Sequence, residues 1–227
     1  MAGVLSVTVV GPGRLGRHVA GGLAAAGHTV RLVGRGEPVP PADLTWFTLP
    51  DDALLRLPAG PGVRLHSAGA LGPEVLGEHG AVLHPLMTFP PPPGAHVSAT
   101  LDGAPAAVAL ARRLAEALGW TVIGGVQDRA RYHAAAALAS GHTAALFLDA
   151  VRLLASATGA GEPTAAAALL ALSQASLQNA AAAGASALTG PAARGDLSTI
   201  EAHRRSLPAE TIAIYDALTE RIRALRS

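Results

Sequence analysis

Two reactive side chains are missing from this sequence: it has no cysteine and, because all seventeen of its Lys+Arg residues are arginine, no lysine. Without cysteine there is no disulfide, no thiolate nucleophile and no cysteine-ligated metal. Without lysine, Schiff-base chemistry and an ammonium proton donor are excluded. Aromatic residues make up only 3% of the 227 residues although half the chain is apolar. A core of Ala, Val and Leu follows, which suits a buried parallel sheet with closely packed helices. The formal charge is +1, so neither nucleic acid nor an anionic membrane is expected as a partner. No run approaches the roughly 20 uninterrupted apolar residues that span a bilayer. No basic segment precedes the first apolar residues, as one would in a secretory leader. The expected compartment is the cytoplasm.

What the chain does have is a glycine-rich turn between two apolar periodicities. Val7 to Val10 reads as a strand; Gly11-Pro12-Gly13-Arg14-Leu15-Gly16 breaks it; a helix follows from Leu15 to Ala26, stopped at Gly27-His28; and Thr29 to Val33 is a second strand. In this GxGxxG context Gly11 takes the tight turn, Gly13 leaves room for a pyrophosphate and Gly16 lets helix and sheet approach closely. The helix start presents unpaired N–H groups to phosphates. The alternative is a βαβ unit whose glycines serve packing alone.

The position about 20 residues beyond Gly16, where an NAD-selective fold carries an acid, is Arg35. Arginine there suits a 2′-phosphate and points to NADP(H); the competing reading makes Arg35 a solvated loop cation and gives the ribose contact to Glu37. Leu49-Pro50-Asp51-Asp52 follows a further strand, Leu44 to Leu49, at the carboxyl edge where ligands bind in open α/β sheets. Asp52 doubles as an N-cap for a short helix over Ala53 to Leu57. The Pro38-Val39-Pro40-Pro41 loop stands where a helix and third strand would otherwise run, so this half of the fold reads as trimmed.

Strands are also expected from Val63, from Ala81 to Leu86, from His96 to Leu101 and from Trp120 to Ile123. A helix should start at Gly72-Pro73, and another runs from Pro105 to Leu118, ended by Gly119. Beyond Gln127 the strand signals cease, and long helices are predicted for Asp128 to Thr158, Pro163 to Ala183 and Leu207 to Leu225. The fold class is therefore α/β: a Rossmann-type, mostly parallel sheet over residues 1–126, then an all-α domain over 127–227. The spacing of Leu169, Leu172, Ser176 and Asn179 is helical. The small residues around them permit a close helix–helix interface, consistent with a homodimer through the helical domain.

Arg129, His133, Ala136 and Ser140 are spaced 4, 3 and 4, which places them on one helix face. His133 is the candidate proton donor near neutral pH. Arg129 would hold a carboxylate or polarise a carbonyl, with Ser140 on the substrate side. Ser67 and His84 stand at strand ends, where they could touch nicotinamide, ribose or substrate. The His84-Pro85 pair could form a turn with a cis peptide. Arg194 and Asp196 lie between predicted helices and either pin a loop or face an anionic substrate; His203, Arg204 and Arg205 read as a solvated helix face. The histidines show no zinc spacing. A Ser67–His84–Asp102 hydrolase triad lacks the GxSxG context it would need.

Four segments, His66-Ser67-Ala68-Gly69-Ala70-Leu71-Gly72, His84-Pro85-Leu86-Met87-Thr88-Phe89, Tyr132-His133-Ala134-Ala135-Ala136 and Thr189-Gly190-Pro191-Ala192-Ala193-Arg194-Gly195-Asp196, resemble the Rossmann-like proteins that carry a DUF2520 C-terminal domain. That group is similar to the 6-phosphogluconate-dehydrogenase-like reductases, which include ketopantoate reductase and pyrroline-5-carboxylate reductase. The resemblance covers nearly the whole chain and implies an NADP(H)-dependent oxidoreductase. The chain departs from it at Arg129, where a lysine is common, and at Ser140-Gly141-His142, where an asparagine commonly follows the serine. The expectation is an NADPH-dependent reductase of a small carbonyl or imine compound, such as a 2-oxo acid of the ketopantoate type. The rivals are a non-catalytic NADP-binding sensor or scaffold and, by wider analogy, an F420-dependent NADP reductase.

Overall fold

The structure, a computed structural model, describes residues 3–226. Its strands are β1 (Ser6–Val10), β2 (Thr29–Val33), β3 (Leu44–Phe47), β4 (Val63–His66), β5 (Gly80–Pro85), β6 (Ser98–Gly103) and β7 (Thr121–Gly124). They form one sheet in the order β2-β1-β3-β4-β5-β6-β7. All neighbours are parallel except β5 and β6. The chain leaves β1 for β2 on one side and returns to β3 on the other, so the β1/β3 boundary is a topological switch point, where such sheets bind ligands.

The two faces of the sheet are unequally covered. Helices α1 (Arg14–Ala25) and α3 (Pro105–Ala117) pack on one face. There Val19, Leu23, Ala111 and Leu114 meet Val7, Val9, Trp46, Leu65 and Leu83 in the main core. The period of 2 along each strand sends Phe47 to the opposite face. That face carries α2 (Asp51–Leu54) and a 3-10 turn at Pro73–Leu76, with a small core of Phe47, Leu54, Ala68 and Leu76. The proline loop of residues 38–41 thus stands in place of a full covering helix.

The remaining helices are α4 (Arg129–Ala137), α5 (Thr143–Thr158), α6 (Glu162–Ala183), α7 (Pro191–Arg194), α8 (Leu197–Ser206) and α9 (Ala209–Arg226), with a π-turn at Leu138–His142 and a 3-10 turn at Gly184–Ala187. The chain forms two compact units, Met1–Leu138 and Ala139–Ser227. The 126/127 boundary read from the sequence marks the end of the strands; the first unit continues through α4. Within the second unit α5 packs on α6, and α7 packs on α8 and α9.

Several local expectations are corrected. The helix expected from Gly72 is a single 3-10 turn, ended by Gly77 at φ +81° only three residues before β5 begins. Asp52 lies inside α2, whose N-cap is Pro50, and pairs with Arg56 one turn on. His84-Pro85 continues β5, and the cis peptide is at Phe89–Pro90. Residues 191–202, read as a connection, belong to α7 and α8, because Asp196 accepts from the Thr199 N–H at 3.1 Å and starts a helix there. One stretch among the described residues, Arg129–Thr158, is long and apolar enough to cross a membrane by length and composition, with a mean hydropathy of 1.3 over an 18-residue window of it. The criterion of uninterrupted apolar residues passed over it because Ser140, His142, Asp149 and Arg152 break the run.

Candidate functional site

The glycine turn is clamped from both neighbouring strands. The Gly11 N–H donates to the Val33 carbonyl at 3.0 Å, and the Thr48 hydroxyl donates to the Gly11 carbonyl at 2.8 Å. Gly11 sits at φ +111°, where a Cβ would lie 2.7 Å from the Thr48 carbonyl oxygen. A Cβ on Gly16 would come within 1.9 Å of the Gly11 carbonyl oxygen, so α1 can approach the turn only because residue 16 is glycine. Gly13 differs: its φ is −71°, and a Cβ there would meet nothing within 4 Å. Neither backbone conformation nor protein packing requires glycine at position 13.

Two cavities adjoin at Pro12 and Gly13. One, of about 600 Å³, is lined by Gly11, Gly34, Arg35, Gly36, Glu37, Thr48, Leu49, Pro50, Asp52, Ala53, Arg56 and Leu57 among others. The other, of about 590 Å³, is lined by Pro12, Gly13, Arg14, Arg17, His18 and Pro90. Each is within the range of about 300–1,000 Å³ typical of small-molecule sites. Together they surround the N-terminus of α1, whose unpaired N–H groups and positive dipole end favour an anion. Of the residues singled out as a nucleotide site, Gly11, Pro12, Gly13, Arg14, Arg35, Leu49 and Pro50 line these cavities, whereas Leu15 and Gly16 pack inward. Arg17 and His18 were missed, although their spacing of 3 and 4 from Arg14 places them on the same helix face. His18 lies 4.9 Å from the Phe89 ring, and burial lowers its pKa.

A second cluster is assembled from β5, β6, α4 and the turn after β4. Antiparallel register sets His84 opposite Thr100, and two residues along β6 Asp102 points to the same face. From α4, Arg129 and Tyr132 reach these positions, being one turn apart. The Arg129 guanidinium donates to both Asp102 oxygens at 2.7 Å and to the Gly69 carbonyl at 3.5 Å. The Thr100 hydroxyl donates to the Tyr132 oxygen at 3.1 Å, and that oxygen lies 2.5 Å from His84 Nδ1. With the phenol donating to Nδ1, the His84 proton sits on Nε2, facing Gly69. A Cβ on Gly69 would lie 2.9 Å from His84 Nε2 and 2.7 Å from His133 Cδ2, so this glycine lets the two histidines come together. Their rings are 6.5 Å apart, with His133 exposed.

Burial, reinforced by the His133 and Arg129 charges, pushes the pKa of His84 down to about 4, against the opposing charge of Asp51. His66 is completely buried and neutral for the same leading reason. Its Nδ1 accepts from the Ala68 N–H at 3.1 Å, and its Nε2–H donates to the Gly72 carbonyl at 3.0 Å, pinning the turn that carries Ser67 and Gly69. Burial raises the Tyr132 pKa. Asp51, singled out as a nucleotide contact, is also a negative charge that bears on His66 and His84. Tyr132 and Asp102 were passed over as a core aromatic and as part of a hydrolase triad. No such triad forms: Ser67 accepts from the Trp46 indole at 2.8 Å, His84 bonds Tyr132 and Asp102 bonds Arg129.

Ser140 lies in the π-turn of residues 138–142, where the 3.6-residue spacing that placed it on the face of Arg129 and His133 no longer holds. In the second unit Asp196 is engaged in capping, with bonds to Ser198 and Thr199, while Arg194 ends α7. His203 and Arg204 are not merely solvated: His203 lies 2.8 Å from the Tyr215 hydroxyl, and Arg204 pairs with Glu201 and Asp216.

Known proteins can be set beside this geometry. No curated protein matches the chain. Among solved structures, protein BF3122 from Bacteroides fragilis matches with a TM-score of 0.80 at 19% identity, over 97% of this chain and 98% of that one. A reductive aminase from Aspergillus terreus, in complex with NADPH and ethyl levulinate, matches at 0.71 and 19%, over 96% and 93%. A 1-pyrroline-5-carboxylate reductase from Streptococcus pyogenes matches at 0.62 and 16%, over 98% and 99%. These likenesses establish a shared fold. Residues 97–222, more than half of the chain, match the family described as Domain of unknown function (DUF2520). With its glycine-turn sheet domain and helical C-terminal region, the chain belongs to the DUF2520 family.

Proposed function

We propose that the protein is an NADPH-dependent reductase of a small carbonyl or imine compound, with a 2-oxo acid as the leading substrate class. The observation that carries this reading is the pair of cavities meeting at Gly13, at the switch point of the sheet, where nothing in the protein itself requires a glycine. A pyrophosphate over the N-terminus of α1 would make use of that space. Arg35 would take a 2′-phosphate, in competition with the nearby Glu37. The reductase relatives, one of them solved with NADPH, support the same reading.

NADPH, when bound, supplies the hydride. His133 would give a proton to the substrate oxygen or nitrogen, and the neutral His84 Nε2–H would orient the reacting group. Arg129, held by Asp102, acts chiefly by fixing the Gly69 turn beneath α4. A non-catalytic NADP-binding sensor or scaffold is the second reading, favoured by that same Arg129–Asp102 pair, which commits Nη2 of the guanidinium to both carboxylate oxygens. Leu148, Leu170, Leu172 and Leu177 are all at least half exposed on α5 and α6. They support a homodimer formed through the helical region.

The test is a fluorescence titration with NADPH and NADH, followed by a panel of 2-oxo acids and cyclic imines. NADPH binding with oxidation by one substrate class supports the reductase; binding without turnover supports the sensor. In the same assay Arg35→Asp should reverse the preference toward NADH by about tenfold or more. Unchanged selectivity would remove Arg35 from the argument.

A further inference from the structure

Among the described residues, Arg64 is a largely buried cation whose guanidinium has no counter-ion and keeps only the access that the cavity beside it provides. It is the second residue of β4, opposite Thr45 on β3, and only 6% exposed. Its guanidinium carbon lies 4.9 Å from the centre of the Phe47 ring. Among the described residues no hydrogen bond or ion pair engages its guanidinium. A buried charge is costly unless paired, and arginine cannot shed its proton to relieve the cost. A single cation–π contact is a weak substitute for a counter-ion.

This side chain lines a cavity of about 510 Å³, separate from the two around Gly13 and close to the amino-terminal ends of β3 and β4. Val39, Pro40, Phe47, Leu57 and Pro61 supply its apolar wall. No Asp or Glu is among its lining residues. The cavity therefore offers one planar cation with a fork of donors in an apolar, proline-stiffened pocket. That combination is complementary to a planar anion carrying a hydrocarbon body.

We propose that this cavity is a binding site for a small amphipathic carboxylate, whose two oxygens pair with the Arg64 guanidinium and whose hydrocarbon part lies against Val39, Pro40 and Phe47. The anion supplies the counter-charge that the fold omits, and desolvation by the apolar wall strengthens the pair. Leu57 lines both this cavity and the crevice at Gly13, so an occupant would touch a side chain of the nucleotide crevice. The site itself does not depend on what that crevice binds.

The experiment is calorimetric titration of the full chain with octanoate, with 1-octanol as the uncharged probe, on wild type, Arg64→Met and Ala42→Trp. Methionine keeps an apolar stem and removes a cation that nothing pairs, so Arg64→Met should fold, as circular dichroism will check. Tryptophan at position 42 fills the cavity and leaves Arg64 in place. Octanoate should bind wild type at one site, 1-octanol should bind at least about tenfold more weakly, and both variants should lose about tenfold or more in octanoate affinity. Equal octanoate affinity in wild type and either folded variant, octanol binding as tightly as octanoate, or no octanoate binding by wild type would overturn the proposal. Should Arg64→Met not fold, Ala42→Trp decides. NADPH titration of the same samples separates this result from the reductase reading, because Arg64 and Ala42 lie outside the nucleotide crevice.

Discussion

The nucleotide crevice and the histidine–tyrosine cluster are built in opposite ways. The crevice is made chiefly of backbone and of atoms that are absent: Gly16 permits contact between α1 and the turn, and Gly13 leaves open space. The cluster is made of side chains that must find one another, from Gly69, His84, Thr100, Asp102, Arg129 and Tyr132. The first should tolerate almost no added atom, and the second should suffer when a partner is removed. Backbone hydrogen bonds hold one; hydrogen bonds between partly buried side chains hold the other.

The largest effect is expected at Gly16. Gly16→Ala places a methyl 1.9 Å from the Gly11 carbonyl oxygen, and the shift needed should cost about 3 kcal/mol of stability in urea unfolding and abolish NADPH binding. Wild-type stability and binding would mean that close packing does not shape the crevice. His133→Ala tests the other side: turnover should fall by about 100-fold while NADPH affinity is retained, and an unaltered rate would eliminate His133 as the proton donor.

Acid should find the cluster before the crevice. His84 stays neutral in the folded protein down to about pH 4, whereas the unfolded chain takes up that proton near 6.5. Because the unfolded state binds more protons in this window, the contribution is complete above pH 6.5 and is lost as pH falls toward 4. Allowing for partial exposure it amounts to roughly 2 kcal/mol. His18 and His66 are shifted in the same direction, so His84→Gln should shallow the slope of stability against pH without flattening it. An unchanged slope would show that His84 is not held neutral by its surroundings. Gly13→Ser is the smallest change and the sharpest contrast with Gly16. Serine is a good N-cap and meets no protein atom, so stability should be kept while NADPH affinity falls about tenfold. Unchanged affinity would leave the openness at Gly13 without a role in binding.

The crevice was legible because its signals are local. A strand, a three-glycine turn and a helix follow one another within twenty residues, and Arg35, Leu49 and Pro50 come from the next two strand ends. Arg17 and His18 could have been found by continuing the helical spacing from Arg14. The cluster was legible only in part. The helix face of Arg129 and His133 was readable, but the bond between Arg129 and Asp102 was not, since it joins residues 27 apart in sequence. Ser140 falls in the π-turn, which interrupts the periodicity that placed it. Residues 191–202 read as a connection because Asp196 looked like a loop anion when it is a cap.

By itself the sequence settled the chemistry that is excluded, with no cysteine or lysine to work with, and the βαβ start with its glycine turn, because hydrophobic period and glycine placement act over a few neighbouring residues. Tertiary structure alone decided that His84 faces Tyr132 and Thr100, that Asp102 takes Arg129, and that Arg64 is buried beside a cavity without a counter-ion. Those outcomes depend on the antiparallel pairing of β5 with β6 and on which sheet face the covering elements leave thin. Such pairings are set by the folded chain as a whole, and no short-range pattern encodes them.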